Sequence, residues 1–194
     1  MLKKIILLSL CSVSAFALHY AELKINDKDL EVAAKLDMGQ FNENIEPDTF
    51  FLGGRFLYVE VAHSSKKIGK LDPLYELNFL LKKPIGSTGL YLGMGMKLNY
   101  TEDFSSLPLG IEGEYKLPFL KAVPMYGYGS VYYAPSVLSF KDAKDYLEYR
   151  VGFDVELVEN ARITLGYTYL NTNYEKSPDF TYNKSWYVGF KFGF

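Results

Sequence analysis

Few residues in this chain are equipped for chemistry. It has two histidines, His19 and His63, and the second is followed by Ser64 and Ser65, so that a base stands beside two hydroxyl nucleophiles. A catalytic triad draws its members together from separate elements, and neighbours on one strand or turn do not define that geometry. A larger ionisable set comprises Glu31, Lys35, Asp37, Glu76, Lys97, Glu112, Glu114, Lys116, Glu148, Arg150, Asp154, Glu156, Arg162 and Lys191. Two carboxylates can act as general acid and base, but lysines and arginines are interleaved with these, which favours mutual ion pairs. No His, Cys or Asp cluster has metal-ligand spacing, and Gly93-x-Gly95 and Gly127-x-Gly129 lack the following helix that a phosphate loop requires. The chain is therefore expected to be no enzyme and to carry no catalytic residue, metal or cofactor.

The charged set is positioned by an alternation of period two, the mark of strands whose side chains point to opposite faces. From Asp145 to Leu157, Leu147, Tyr149, Val151, Phe153, Val155 and Leu157 share one face, and Tyr146, Glu148, Arg150, Gly152, Asp154 and Glu156 the other. Gly89 to Tyr100, Leu107 to Leu117 and Asp29 to Gly39 obey the same rule; Pro73 to Lys83, Val123 to Ala134 and Arg162 to Thr172 obey it more loosely. Phe50 to Ala62 is apolar on both faces, which suggests a register shift by a bulge near Gly53-Gly54. His19 to Ile25 is either a short first strand or an arm. From Lys184 to Phe194, Trp186, Val188, Phe190, Phe192 and Phe194 face one way and Tyr187, Gly189, Lys191 and Gly193 the other. A tilted membrane strand needs roughly 9 to 11 residues, and this stretch has that length. So apolar an edge is an aggregation hazard in water but suits lipid.

Short connections at Lys83 to Thr88, Pro118 to Val123 and Val158 to Ala161 alternate with longer or more polar ones at Ser64 to Asp72, Thr101 to Ser106, Pro135 to Lys144 and Thr172 to Asn183. Periplasmic turns and extracellular loops of outer-membrane barrels alternate in this way. Gln40 to Asp48 is long where a short turn is expected. At the start, Lys3 and Lys4, the apolar run Ile5 to Val13, and Ala15-Phe16-Ala17 read as a secretory signal with its cleavage site at Ala15 and Ala17. Residues 1–17 are then removed and 18–194 form one domain. Cys11 leaves with the signal, and 19 cationic against 23 acidic residues remain, a formal charge of −4 that gives no case for nucleic acid. A mean hydropathy of −0.05 and no later long apolar run exclude a helical membrane protein. A barrel, whose apolar residues are hidden in alternation, is not excluded.

The fold class that follows is all-β: a closed antiparallel up-and-down transmembrane β-barrel of about ten strands, or eight if the N-terminal hairpin stays outside the ring. Lipid outside turns the polar faces inward. Lys97, Glu112, Glu114, Lys116, Glu148, Arg150, Asp154, Glu156, Arg162 and Lys191 are the expected lumen-lining charges, in an interior filled mostly by side chains.

Tyr132-Tyr133-Ala134-Pro135-Ser136 leading into Tyr146-Leu147-Glu148, then Gly166-Tyr167-Thr168-Tyr169-Leu170-Asn171, then Tyr187-Val188-Gly189 through Phe194 resemble the YfaZ family of bacterial outer-membrane proteins over roughly Leu90 to Phe194. The terminal run is also similar to the C-terminal sorting signal of outer-membrane barrels, with Tyr187, Gly189, Phe192 and Phe194 at the recognised positions. These resemblances imply a Gram-negative outer-membrane barrel that arrives through the periplasm, with no catalytic residues carried over. The export translocon, the barrel-assembly machinery and outer-membrane lipids are its expected partners, and a monomer is its expected state. The expected function is structural or a narrow porin-like conduit for ions or small polar solutes. The alternatives are adhesion or recognition through the external loops Pro135 to Lys144 and Thr172 to Asn183, or lipid modification dependent on His63.

Overall fold

The computed structural model describes residues 20–27, 29–59, 72–118, 123–175 and 180–193. Among them twelve strands form one sheet: β1 Tyr20–Ile25, β2 Asp29–Asp37, β3 Phe50–Val59, β4 Leu74–Pro84, β5 Leu90–Tyr100, β6 Phe104–Ser106, β7 Leu109–Lys116, β8 Met125–Ala134, β9 Ser139–Lys141, β10 Ala143–Val158, β11 Ala161–Tyr174 and β12 Phe180–Gly193. Ten of these run in the order β4-β3-β2-β1-β12-β11-β10-β8-β7-β5, and β4 pairs with β5 to close the ring. Closure leaves no open edge in a solvent that offers no hydrogen bonds. The N-terminal segment is a barrel strand, since β1 pairs with β12 from Tyr20↔Gly193 to Ile25↔Val188 and with β2 on its other side. We call the end holding Tyr20 and Gly193 the lower end. The short strands β6 and β9 pair with each other beyond the upper end of β5.

The apolar faces point outward. Tyr149, Val151, Phe153 and Leu157 of β10 are exposed while Tyr146, Glu148 and Asp154 are fully buried, and β12 exposes Trp186, Val188, Phe190 and Phe192 while burying Tyr187. Tyr75, Leu77, Phe79 and Leu81 of β4 continue this outer band. A sheet that exposes large apolar groups and buries charge is built for an apolar solvent. Towards its top the band carries an aromatic cluster, with Tyr149 stacked on Tyr169 at 5.0 Å and Tyr167 edge-on to Trp186 at 5.5 Å.

Two segments differ from expectation. β3 contains no bulge: its pairing with β2 is continuous from Asp29↔Val59 to Asp37↔Phe51. Both its faces are apolar because Leu57 and Val59 point inward, where each is only 1% exposed. The long lower connection after β2 is folded around one side chain. Asp37, expected among the inner charges, is buried, and its carboxylate accepts hydrogen bonds from the backbone of Gly39 at 3.0 Å and Asp48 at 2.8 Å, which clamps the two ends of the loop.

Inward glycines make room for tyrosines laid against the wall. A Cβ on Gly95 would come within 2.2 Å of the Tyr132 hydroxyl, and one on Gly152 within 2.5 Å of the Tyr128 hydroxyl. Tyrosine opposite glycine is thus a packing rule of the lumen wall, which explains why the two residue types recur together in these strands.

Candidate functional site: the charged lumen

The centre of the lumen is organised by Arg55, the only charged residue of β3. Its guanidinium donates to both carboxylate oxygens of Glu148 on β10, at 2.7 and 2.9 Å, and also to Glu76 on the neighbouring β4, with Glu31 at 3.5 Å. β3 and β10 stand five places apart on a ring of ten, so this pair spans the barrel's diameter. Arg150 makes a second crossing with two hydrogen bonds to Glu31, at 2.7 and 2.6 Å, and a third to Glu148 at 2.8 Å. Lys97 donates to Glu148 at 3.1 Å, and the Tyr146 hydroxyl donates to it at 2.6 Å. Glu148 is fully buried. A buried carboxylate is tolerated only when paired and hydrogen-bonded, and its five donors meet that condition.

Below this hub the pairs loosen. Lys24 still donates to Glu31 at 3.1 Å, and Lys191 to Asp154 at 2.6 Å, where Thr164 also donates. Lower down, Lys35 lies 3.6 Å from Glu112, Lys82 lies 3.6 Å from Glu114, and Arg162 lies 3.8 Å from Glu114 and 3.7 Å from Glu156. A cavity of about 190 Å³ occupies this level; it is roofed by Arg55, Glu76, Asn78 and Lys97 and reaches the lower rim at Tyr20, Asn160 and Gly193. At about 30 Å³ each, it has room for roughly six waters.

Above the hub the interior holds an apolar layer flanked by the buried side chains of Asn99, Thr101, Thr172 and Asn183. Leu57, Val59, Leu74, Phe104, Ala134, Ala143, Tyr146, Leu170 and Tyr182 form one buried cluster. Phe104 is its centre, with ring centroids 6.0 Å from Tyr146, 6.4 Å from Tyr174 and 5.3 Å from Tyr182. Thr101 to Ser106 was expected as an external loop, but β6 turns Phe104 into the barrel and leaves it 0% exposed. On the outside, Lys141 of β9 holds this arrangement down, donating to the carbonyls of Thr101 at 2.9 Å and Glu102 at 3.0 Å.

The structure thus brings Lys97, Glu148 and Arg150 into the hub, Asp154 and Lys191 into one pair beside it, and Glu112, Glu114, Glu156 and Arg162 around the cavity. Lys116 stands apart, exposed at the lower end of β7 with its ammonium 5.8 Å from the Tyr126 ring. Sequence reasoning missed Arg55, Lys24, Glu22 and Lys82. A single cation inside an otherwise apolar strand was the available signal for Arg55. Tyr187 faces inward with its hydroxyl 2.6 Å from that of Tyr128, Gly189 faces inward where a Cβ would meet the Leu23 carbonyl at 2.6 Å, and Phe192 faces outward. Phe194, the cleavage positions Ala15 and Ala17, and the candidate catalytic residues His19, His63, Ser64 and Ser65 lie outside the described residues. Among the described residues no group of three or more His, Cys, Asp or Glu is placed to hold a metal ion.

No protein of curated function matches the chain in sequence. Among solved structures it is similar to the KdgM porin, at 10% identity and a TM-score of 0.40, covering 91% of this chain and 98% of that one. The family model described as YfaZ precursor matches residues 2–194. With a match of that extent, the chain belongs to the YfaZ family.

Proposed function

We propose that this protein is a non-enzymatic outer-membrane barrel that spans the bilayer with its lumen shut, and so serves as a structural element rather than an open conduit. The double closure supports this reading: hydrogen-bonded ion pairs cross the full diameter at Arg55–Glu148, and a buried aromatic layer around Phe104 lies above them. An ion passing upward would have to displace the first and then cross the second, where the apolar groups of Leu57, Leu74 and Phe104 replace little of its hydration. Single-channel recording of the refolded full chain in a planar bilayer tests the reading. Silence is the expected result, and steady openings of one size would overturn it.

A second reading, a gated narrow conduit, is favoured by the position of Phe104. It is carried by β6, on the connection between β5 and β7, so the layer could withdraw without breaking the ring. Under this reading, Phe104→Ala gives steady openings where the unaltered chain is silent. Silence from both proteins supports the structural reading.

A further inference from the structure

We propose that the lower cavity is a binding site for a small zwitterionic solute of amino-acid size, which enters and leaves by the lower rim. The site does not depend on whether the lumen conducts, since it lies wholly below the hub.

The ion pairs of the interior fall into two kinds. Most of those at the hub and beside it are hydrogen-bonded, at 2.6 to 3.1 Å for Arg150–Glu31, Arg150–Glu148, Lys97–Glu148, Lys24–Glu31 and Lys191–Asp154, with Arg55–Glu31 and Lys97–Glu76 longer at 3.5 Å. Around the cavity, Lys24–Glu22 is close at 2.7 Å, whereas Lys35–Glu112, Lys82–Glu114, Arg162–Glu114 and Arg162–Glu156 all stand at 3.6 to 3.8 Å. That is beyond a hydrogen bond, although these side chains are only 19 to 26% exposed. Among the described residues the side chains of Lys35, Lys82 and Arg162 donate no hydrogen bond to protein. Polar groups this enclosed require partners, and those of the cavity layer are left to whatever fills the cavity.

Two of the cations are nevertheless held in place. The Arg162 guanidinium lies 3.8 Å above the Tyr126 ring and the Lys82 ammonium 4.9 Å from the Tyr91 ring, contacts that fix a cation while leaving its donor edge free. On the opposite sign, Glu112 and Glu156 are each oriented by one tyrosine hydroxyl, at 2.7 Å from Tyr132 and 3.0 Å from Tyr126. The layer therefore presents three cations, two of them held by aromatic rings, and three carboxylates, with spare hydrogen-bonding capacity of both kinds.

This balance selects the ligand. A simple anion would satisfy the cations but sit against three carboxylates, and a simple cation would meet the converse repulsion. A neutral molecule carrying both charges can place its carboxylate between Lys82 and Arg162 and its ammonium against Glu114 or Glu156, replacing water at both ends. The cavity of about 190 Å³ admits a molecule of this size with a few waters.

Isothermal titration of the refolded full chain in detergent, with β-alanine, propionate and propylammonium as probes of equal chain length, tests the proposal. β-Alanine is expected to bind with a Kd on the order of 1 mM, as about six heavy atoms permit. The two singly charged probes should bind at least about tenfold more weakly, a difference of about 1.4 kcal/mol. In Glu114→Gln the preference should change sign, with β-alanine weakened and propionate strengthened. Lys82→Gln gives the mirror result, a gain for propylammonium, and serves if the first variant does not show the heat-dependent gel shift of a folded barrel. Equal binding of propionate and β-alanine to the unaltered chain would overturn the proposal, as would no heat from any probe or an unchanged preference in a folded variant.

Discussion

Replacing Arg55 with methionine tests whether the charges of the lumen are a supporting frame. The substitution keeps the length and apolar stem of the side chain but removes the guanidinium that bonds Glu148 and Glu76 and approaches Glu31. Removing one member of a buried pair costs about 3 to 5 kcal/mol, because the other charge is left without compensation. Here Lys97 at 3.1 Å and Arg150 at 2.8 Å remain bonded to Glu148, so the loss should lie near the lower figure, about 3 kcal/mol. Glu148→Gln alone should also destabilise, since Arg55 then keeps only Glu76 and the distant Glu31. The double variant should lose less than the sum of the two by about 1 to 3 kcal/mol, the coupling expected of residues in direct contact. Urea unfolding in lipid vesicles can be followed by the emission of Trp186, the single tryptophan of the chain, which stands on the outer face. A loss from Arg55→Met below about 1 kcal/mol, the range of an exposed ion pair, would refute the reasoning, as would strict additivity.

Val151 is exposed in the middle of the outer band of β10, so Val151→Arg should destabilise the inserted barrel by about 2 to 4 kcal/mol in the same unfolding assay. Gly95→Ala places a methyl group against Tyr132, which donates to Glu112; the expected cost of about 1 to 3 kcal/mol for overpacking should be largely recovered by Tyr132→Leu. Deleting Phe194 is expected to lower membrane insertion while leaving export intact, as seen by the yield of heat-shifted protein in outer-membrane and periplasmic fractions.

Strands with one charged and one apolar face were legible because lipid outside admits only one orientation for them. The inward parity of Glu148, Arg150 and Asp154 follows from alternation alone. β3 was not legible in this way. Its Leu57 and Val59 pack into the upper cluster, and an apolar residue facing an apolar interior carries the same signal as one facing lipid. The same ambiguity hid Arg55, whose direction could be read only once the register was known. β1 is six residues long, too short for its pattern to decide between strand and arm; its membership is settled by pairing with β12 at the far end of the chain. The inward turn of Phe104 depends on rings from β10, β11 and β12, so nothing local to Thr101–Ser106 announces it.

The crossing pairs also set an order of events in folding. Arg55 and Glu148 are 93 residues apart, and Arg150 and Glu31 are 119 apart. Neither pair exists in any hairpin or partial sheet; both form only when the first strands meet the last. A sheet that entered the bilayer before closing would keep neighbour pairs such as Arg55–Glu76 but carry the groups of these two crossings into hydrocarbon without each other, at several kcal/mol for each charge left unpaired. The crossing pairs therefore penalise insertion before closure, so that the element that holds the finished barrel together also disfavours an unfinished one in the membrane.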